Sequence, residues 1–199
     1  MEVSEHLIRV ERTARYFVLG DIQRASQIWI ACHGYGQSAR YLCKQLKSAL
    51  ELGHAVIAPE GLSRFYLSGF NGKVGPSWMT KEARLQEISD YISYLNALVE
   101  ELGPSKHIHV LGFSQGAATV SRWIAAGSVN LKSITLCCGL LPPDLDLRLL
   151  KGVLKDLKIL MLHGDQDPFI SKEKVEEQLR AFNNLEIAYQ VLWHSGAHE

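Results

Sequence analysis

Short apolar runs and longer stretches of helical periodicity alternate along the chain from residue 27 onward. The apolar runs are rich in Val, Ile and Leu and predict buried strands at residues 27–32, 55–58, 108–111, 133–138, 158–162 and 186–193. The stretches between them predict helices over residues 39–52, 81–102, 117–124 and 171–182. This alternation predicts an α/β protein with a mostly parallel sheet and helices on both of its faces.

Two segments depart from that alternation. Residues 3–10 and 14–19 alternate polar and apolar positions, which predicts an antiparallel N-terminal hairpin at the edge of the sheet. Residues 60–80 carry many glycines and aromatic side chains and predict a long irregular loop, a feature that is usually functional. Thr80 is expected to cap the helix that follows. In that helix a stripe of apolar residues at helical spacing predicts a core-facing side: Leu85, Ile88, Ile92, Leu95 and Leu98.

Length and composition are those of an ordinary globular protein. With 199 residues, of which 47% are hydrophobic and 21% charged, we expect a single domain over residues 1–199. The formal net charge is +0, which argues against nucleic acid or an anionic membrane as the main partner. The four cysteines lie in or near apolar runs rather than in a disulfide pattern, and we find no signal peptide or membrane-spanning run. We therefore expect a cytoplasmic protein.

The chemistry is centred on the pentapeptide Gly112-Phe113-Ser114-Gln115-Gly116. It follows a predicted strand and precedes a predicted helix, which is the context that a G-x-S-x-G nucleophile elbow requires. Glycines two positions before and after the serine allow the tight turn that lifts its hydroxyl above the sheet edge. There the helix N-terminus favours developing negative charge. The alternative is an ordinary strand-to-helix turn.

A serine hydroxyl becomes a nucleophile only when a base takes its proton and a third group orients that base. The chain offers Ser114, Asp167 and His198 in the order Ser, Asp, His, and each follows a predicted strand. Because the carboxyl ends of parallel strands meet at one edge of a sheet, these residues are expected to converge. The sequence therefore predicts Ser114 as nucleophile, His198 as base and Asp167 as the group that orients it.

Each partner of Ser114 has a competitor nearby in the sequence. His194 ends the last predicted strand, whereas His198 follows a flexible Ser-Gly-Ala segment that can carry an imidazole over the elbow, so we favour His198. Asp165 is expected to cap its turn through an Asx-type hydrogen bond, so we favour Asp167 as the acid. A disordered histidine near the end of the chain is the alternative for His198.

An oxyanion requires backbone N–H donors. The N–H of Gln115, directly after the nucleophile, is one candidate. The other is the N–H of Tyr35, which lies between Gly34 and Gly36 in the loop after a buried strand. A plain glycine turn is the alternative for this loop.

Five segments of the chain together resemble one family of enzymes. They contain His33-Gly34-Tyr35-Gly36, Pro76-Ser77-Trp78, the elbow pentapeptide, His163-Gly164-Asp165-Gln166-Asp167-Pro168 and Gly196-Ala197-His198-Glu199. These motifs are similar to those of the phospholipase/carboxylesterase family of α/β-hydrolases, which includes acyl-protein thioesterases and small bacterial carboxylesterases. The resemblance implies an α/β-hydrolase fold and the same roles for Ser114, Asp167, His198, Tyr35 and Gln115. Residues 61–66 look more like the small bacterial carboxylesterase branch.

We therefore expect a serine esterase that cleaves short- to medium-chain esters or thioesters of small molecules through an acyl-enzyme, without a cofactor. Four apolar side chains are candidates for the rim of the substrate site: Phe65, Tyr66, Trp78 and Leu140. Each could instead anchor its loop in the core. Monomer and homodimer both remain open.

Two other functions are alternatives to a serine esterase. A catalytically silent ligand-binding module on the same fold is the first alternative, and the presence of all three candidate catalytic residues argues against it. Metal-assisted hydrolysis through His163, Asp165 and His198 is the second, and these residues lack the tight spacing typical of metal ligands, so no metal is expected.

Overall fold

The computed structural model describes residues 2–103, 107–127 and 129–199. The strands of this described part are β1 (Tyr16–Leu19), β2 (Gln27–Cys32), β3 (His54–Pro59), β4 (Ser63–Tyr66), β5 (Val74–Ser77), β6 (Ile108–Phe113), β7 (Ser133–Cys137), β8 (Lys158–Gly164) and β9 (Gln190–His194). Its α-helices are α1 (Ala39–Gln45), α2 (Arg84–Leu102), α3 (Gln115–Ala125), α4 (Leu147–Leu154) and α5 (Lys172–Asn184). No helix among these residues combines the length and the hydrophobicity needed to cross a bilayer.

Seven strands form one sheet in the order β1-β3-β2-β6-β7-β8-β9. Strand β1 runs antiparallel to β3, and every other neighbouring pair in this sheet is parallel. The predicted mostly parallel sheet is thereby confirmed. Since the parallel strands share one direction, the loops after β2, β6, β8 and β9 open at the same edge, where ligands of such sheets bind.

Helices cover both faces of the sheet. Successive residues of a strand point to opposite faces, so apolar residues throughout a strand are buried only when both faces are covered. In β2, Ile30 packs in the large core cluster with Leu95 of α2 and Val120 of α3. Its neighbour Ala31 packs on the other side with residues of α1, including Leu42. Buried strands without an alternating polar face are what a parallel sheet between two helical layers requires.

The N-terminal part of the predicted fold is confirmed only as an antiparallel edge. Strand β1 supplies that edge by pairing with β3 rather than with residues 3–10, which form no strand. Without a partner strand, the apolar side chains of that first segment are exposed to solvent: Val3, Leu7, Ile8 and Val10.

The predicted loop at residues 60–80 contains an antiparallel hairpin, β4 with β5, in which Arg64 lies opposite Pro76 and Phe65 opposite Gly75. Strand β5 escapes prediction because Gly and Pro in the middle of a run argue against a strand. The helix after this loop begins at Arg84, and Thr80 is not its cap: the Thr80 hydroxyl instead accepts the N–H of Glu82 at 3.2 Å.

The remaining helices match their predictions with two differences. The helix predicted at residues 39–52 consists of α1 followed by a 3-10 helix, Lys47–Leu52, which ends at Gly53 with φ of 72°. Helix α4 was not predicted. It begins at Leu147 and is capped by Asp146, whose carboxylate accepts the N–H of Arg148 at 2.9 Å.

Candidate active site

The turn from β6 into α3 holds Ser114 in a backbone conformation that L-residues seldom adopt, with φ of 53° and ψ of −115°. Such a conformation costs on the order of 1–3 kcal/mol and persists only when its surroundings impose it. Two glycines provide that constraint. A Cβ on Gly112 would overlap the backbone of Gly116, and a Cβ on Gly116 would overlap the carbonyl oxygen of Cys32. The Ser114 N–H also donates to the carbonyl of Cys137 at 2.9 Å, which fixes the turn against β7.

A chain of two short hydrogen bonds leads away from the Ser114 hydroxyl. Its Oγ lies 2.7 Å from Nε2 of His198, and Nδ1 of His198 lies 2.7 Å from Oδ2 of Asp167. Because an ionised carboxylate only accepts hydrogen bonds, Nδ1 carries the imidazole proton. Nε2 is then free to accept the proton of the serine hydroxyl. The structure thus brings together three residues that lie far apart in the sequence.

The competing residues lie outside this chain of hydrogen bonds. Asp165 is exposed, and its backbone N–H donates to the carbonyl of His194 at 3.0 Å. The Nε2 atom of His194 is buried and has no partner among the described residues. The Asx-type turn expected of Asp165 is made by Asp167 instead, whose Oδ1 accepts the N–H groups of Phe169 and Ile170 at 2.8 and 3.1 Å.

These contacts set the charge of Asp167. The exposed fraction of its side chain is 1%, and burial by itself would raise its pKa. The hydrogen bonds from His198 and from the two backbone N–H groups outweigh burial, so the pKa of Asp167 lies below its ordinary value. Asp167 is therefore a carboxylate at neutral pH and holds the Nδ1–H tautomer of His198.

Two backbone N–H groups beside Ser114 have no acceptor within the described residues: those of Tyr35 and Gln115. Gln115 is the first residue of α3, so its N–H has no intrahelical partner. The neighbours of Tyr35 are both occupied. The Gly34 N–H donates to Oε1 of Gln37, and the Gly36 N–H donates to the carbonyl of Pro76, each at 2.9 Å.

The loop that carries Tyr35 is held by a buried histidine whose role the sequence analysis missed. Nδ1 of His33 donates to the carbonyl of Gly34 at 2.7 Å, and its Nε2 accepts the N–H of Gly61 at 2.9 Å. Burial lowers the pKa of His33 to about 4, so the ring is neutral and keeps one tautomer. In the sequence, only the His-Gly motif indicates that His33 has this role, because the contact with Gly61 spans 28 residues.

A buried carboxylate anchors the start of the β3–β4 connection. Glu60 accepts hydrogen bonds from Nε of Arg15 at 2.6 Å and from Nε of Arg64 at 2.7 Å. Burial would raise the pKa of Glu60, but the two guanidinium groups outweigh it and lower that pKa. Arg64 is thus paired within the protein, next to Gly61 and the histidine that supports the Tyr35 loop.

Trp78 is not a rim residue, contrary to expectation. It is 2% exposed, stacks on the His33 ring at 4.9 Å and donates from Nε1 to the His33 carbonyl at 2.9 Å. Its backbone N–H donates to the side chain of Gln115 at 3.0 Å, and that side chain donates to the carbonyl of Met79 at 2.8 Å. Trp78 therefore ties β5 to the elbow helix as part of the core.

The other candidate rim residues retain exposed surface. Phe65 is half-buried with its ring 5.1 Å from that of Tyr35, Tyr66 is exposed and Leu140 is partly exposed. Phe169, which is not among the predicted site residues, is exposed and meets the His198 ring edge to face at 4.9 Å. The sequence feature that could have indicated a place in the site is its position two residues after Asp167.

The metal ligands considered from the sequence do not form a group in the described residues. Asp165 points to solvent, and both ring nitrogens of His163 are buried without a partner. A different set of possible ligand atoms lies together: one each from Cys138, Asp167 and His198, all within 4.8 Å of one another. Cys138 is not among the site residues predicted from the sequence.

Comparisons with known proteins identify the family and the fold of the chain. The sequence profile of the family described as Phospholipase/Carboxylesterase matches residues 14–199. No curated protein has a significantly similar sequence. Among solved structures, acyl-protein thioesterase 2 of Zea mays superposes with a TM-score of 0.74 at 18% identity, over 94% of this chain and 92% of that one.

Two bacterial structures are similar as well. The phospholipase/carboxylesterase of Dyadobacter fermentans has a TM-score of 0.66 at 21% identity, over 96% of this chain and 92% of that one. The Bacillus cereus carboxylesterase has a TM-score of 0.68 at 16% identity, over 94% and 87% of the two chains. The fold is therefore the α/β-hydrolase fold, as expected from the sequence.

Proposed function

Because the chain belongs to the phospholipase/carboxylesterase family, we propose that it is a serine hydrolase that cleaves short- to medium-chain carboxylic esters or thioesters of small molecules. The observation that carries this proposal is the pair of 2.7 Å contacts that link Ser114, His198 and Asp167 at a strained elbow. A hydroxyl on an accepting imidazole, with that imidazole oriented by a buried carboxylate, is an activated nucleophile. The similar structures named for esterase or thioesterase activity support the same reaction class.

The first half of the reaction forms an acyl-enzyme. Ser114 Oγ attacks the acyl carbon while Nε2 of His198 takes its proton, and the electron pair of the carbonyl moves to its oxygen. The imidazolium that results is stabilised by the Asp167 carboxylate. When the tetrahedral intermediate collapses, the bond to the leaving group breaks and His198 returns the proton to the departing alcohol or thiol.

The second half repeats these steps with water. Nε2 of His198 takes a proton from the attacking water, and the acyl–Oγ bond breaks with return of that proton to Ser114. In both halves the negative oxygen is stabilised by the N–H groups of Tyr35 and Gln115. Such preorganised donors commonly contribute about 10²–10³ in rate each. No cofactor takes part.

The rim supports an uncharged, apolar acyl group. Phe65 packs against Tyr35, directly beside one of the two oxyanion donors, and Phe169 covers the ring of His198. Arg64, a cation of the hairpin, is paired with Glu60. Tyr66 and Leu140 complete the proposed acyl contacts.

The four cysteines are buried thiols without disulfides, which fits a reducing compartment such as the cytoplasm. We include a cytoplasmic location in the proposal on this ground.

The test is hydrolysis of p-nitrophenyl esters from acetyl to palmitoyl, with Ser114→Ala and His198→Ala measured alongside. We expect a maximum at short to medium chains and loss of activity in both variants. His194→Ala is the matched control for His198→Ala and should retain activity, because His194 lies outside the hydrogen-bond chain. A fluorophosphonate probe should label the wild-type protein on Ser114 only. No hydrolysis at any length together with no labelling would contradict the proposal and favour a silent ligand-binding module.

A further inference from the structure

Cys138 directs its thiol into the region of Asp167 and His198. Its Sγ, a carboxylate oxygen of Asp167 and a ring nitrogen of His198 all lie within 4.8 Å of one another. Cys138 itself is fully buried and has φ of 45°, a value that L-residues seldom adopt. Its backbone N–H donates to the carbonyl of Leu162 at 2.8 Å, and its thiol donates to the carbonyl of Glu199 at 3.2 Å. One hydrogen bond therefore fixes the backbone of Cys138 and another fixes its thiol.

We infer that Cys138, Asp167 and His198 form an inhibitory binding site for a thiophilic divalent cation, of which Zn²⁺ is the representative. The inhibition of hydrolysis rests on the proposed serine hydrolase function. The existence of the cation site does not. The three residues supply a thiolate, a carboxylate and an imidazole, which is the ligand set that Zn²⁺ prefers in proteins.

The spacing is close to what such an ion needs. With bonds of about 2.0–2.3 Å in tetrahedral geometry, two zinc ligands lie roughly 3.3–3.7 Å apart. Ligand atoms within 4.8 Å of one another therefore need to close by about 1.5 Å at most. If the ion binds Nδ1 of His198, the 2.7 Å contact between that atom and Asp167 must also open. His198 is the most exposed of the three and provides the side of entry.

Protons balance when the ion binds. The Cys138 thiol loses one proton to solvent, and the neutral imidazole keeps its single proton on the nitrogen that the ion does not occupy. If the ion takes Nδ1, that proton moves to Nε2, which then donates to Ser114 Oγ instead of accepting from it. If the ion takes Nε2, it occupies the lone pair that accepts the serine proton. Either way His198 ceases to be a base.

The chemistry of the site also excludes the abundant hard cations. Ca²⁺ and Mg²⁺ require six or more oxygen ligands or retain several waters, and they bind thiolate poorly. Inhibition should therefore be specific to Zn²⁺ and similar ions, and a chelator should reverse it. This feature distinguishes a built site from a general effect of divalent charge.

Co²⁺ is the probe for the site itself, because it substitutes for Zn²⁺ and reports its ligands in its absorption spectrum. The full chain titrated with Co²⁺ should develop a thiolate-to-cobalt charge-transfer band, and Cys138→Ser and Cys138→Ala should both abolish it. Cys43→Ser is the matched control, since Cys43 is a buried thiol of α1 that lies against the backbone of Phe17 and Val56 and outside the group of ligand atoms. A wild-type protein without the band, or a band that persists in both Cys138 variants, overturns the inference.

Ester hydrolysis then tests the consequence. Zn²⁺ should inhibit the wild-type enzyme, EDTA should restore it, and Mg²⁺ and Ca²⁺ should have no effect. Relative to each variant's own metal-free rate, Cys138→Ser should raise the half-inhibitory Zn²⁺ concentration by about tenfold or more, since even outer-shell partners change metal affinity by about 10–100-fold. Equal inhibition of the wild type and Cys138→Ser overturns the inference. A cobalt band without any esterase activity would support the site and contradict the proposed function.

Discussion

The rings of Phe169 and His198 meet edge to face with their centroids 4.9 Å apart, and Phe169 is 71% exposed. A second ring, that of Phe113, lies 5.2 Å from His198 on the chain that enters the elbow. His198 lies in the loop after β9, and these two contacts orient the imidazole in addition to its hydrogen bonds with Ser114 and Asp167. Phe169 connects the carboxylate loop to the histidine loop at the surface of the site.

Phe169→Ala is expected to lower kcat with little effect on stability. Aromatic pairs contribute about 0.5–1.5 kcal/mol beyond their buried area, which corresponds to a loss of roughly 2–13-fold if that energy holds His198 in place. Because the ring is mostly exposed, the free energy of unfolding should change by less than about 0.5 kcal/mol. Steady-state kinetics and urea unfolding measure the two effects.

Phe70→Ala is the control for that experiment. Phe70 is another exposed phenylalanine, at 94%, and contacts no aromatic ring in the described part of the chain. Its removal should leave both kcat and stability unchanged. Equal rates for the wild type and Phe169→Ala would show that the hydrogen bonds alone orient His198.

Asp167→Asn is expected to lower kcat by about 10³–10⁴, because an amide no longer enforces the Nδ1–H tautomer of His198. The substitution is nearly isosteric, and its carbonyl oxygen still accepts the N–H groups of Phe169 and Ile170. Asp165→Asn, two residues away and exposed, should keep the wild-type rate. Comparable losses in both variants would contradict the assigned role of Asp167.

Much of the sheet could be predicted from local pattern, since buried parallel strands have continuous apolar sequences that differ clearly from amphipathic helices. Helix α4 was missed although its buried positions, Leu150 and Leu154, follow helical spacing and Asp146 offers an N-cap. The hairpin of β4 and β5 was missed because Pro76 and Gly75 remove the usual strand signals. Residues 3–10 alternate like a strand but find no partner in the structure, and no local signal distinguishes those two outcomes.

The site likewise has a part that could be predicted from the sequence and a part that could not. From the motifs and the strand ends alone, Ser114, Asp167 and His198 could be predicted to lie close together. Their catalytic roles stay predictions. Contacts between distant segments could not be predicted, because they depend on how the whole sheet is assembled. The pairing of Glu60 with Arg15 and the approach of Cys138 to Asp167 are of this kind. Trp78 shows the converse error, since this aromatic residue of the predicted loop, expected at the rim, is part of the core.

Glu60→Gln is expected to destabilise the protein by about 1–2 kcal/mol at pH 7. Removing one partner of a buried pair typically costs about 3–5 kcal/mol, but Arg15 and Arg64 are 56% and 35% exposed, and solvent screening reduces the effect. The folded pKa of Glu60 is lowered, so its contribution is present above the unfolded pKa and is lost as pH falls through the folded value. The difference between variant and wild type should therefore shrink as pH falls below the unfolded value of about 4.3.

Urea unfolding at pH 7 and at lower pH measures this difference. Glu186→Gln is the control, because Glu186 is 85% exposed and its partner is the surface residue Lys151 at 3.3 Å. That variant should differ from wild type by less than about 0.5 kcal/mol, as expected of a surface pair. If the two variants were equally stable, Glu60 would have no special structural role.

His33 is expected to make stability fall between pH 7 and pH 5. Burial lowers its folded pKa to about 4, below the unfolded value of about 6.5, so the unfolded chain binds more protons between those values. Stability is therefore greatest above pH 6.5 and declines as pH falls toward 4. From these two pKa values the loss at pH 5 is about 2 kcal/mol relative to pH 7.

His163 is also buried with a lowered pKa and contributes in the same direction. Comparison of the wild type with His33→Gln separates the two, because His163 titrates in both proteins. The variant should start less stable at pH 7, since the hydrogen bonds to Gly34 and Gly61 are disturbed, but it should lose about 2 kcal/mol less on going to pH 5. Parallel stability curves for the two proteins would mean that His33 is not held neutral by the fold, and the account of how it supports the Tyr35 loop would then be wrong.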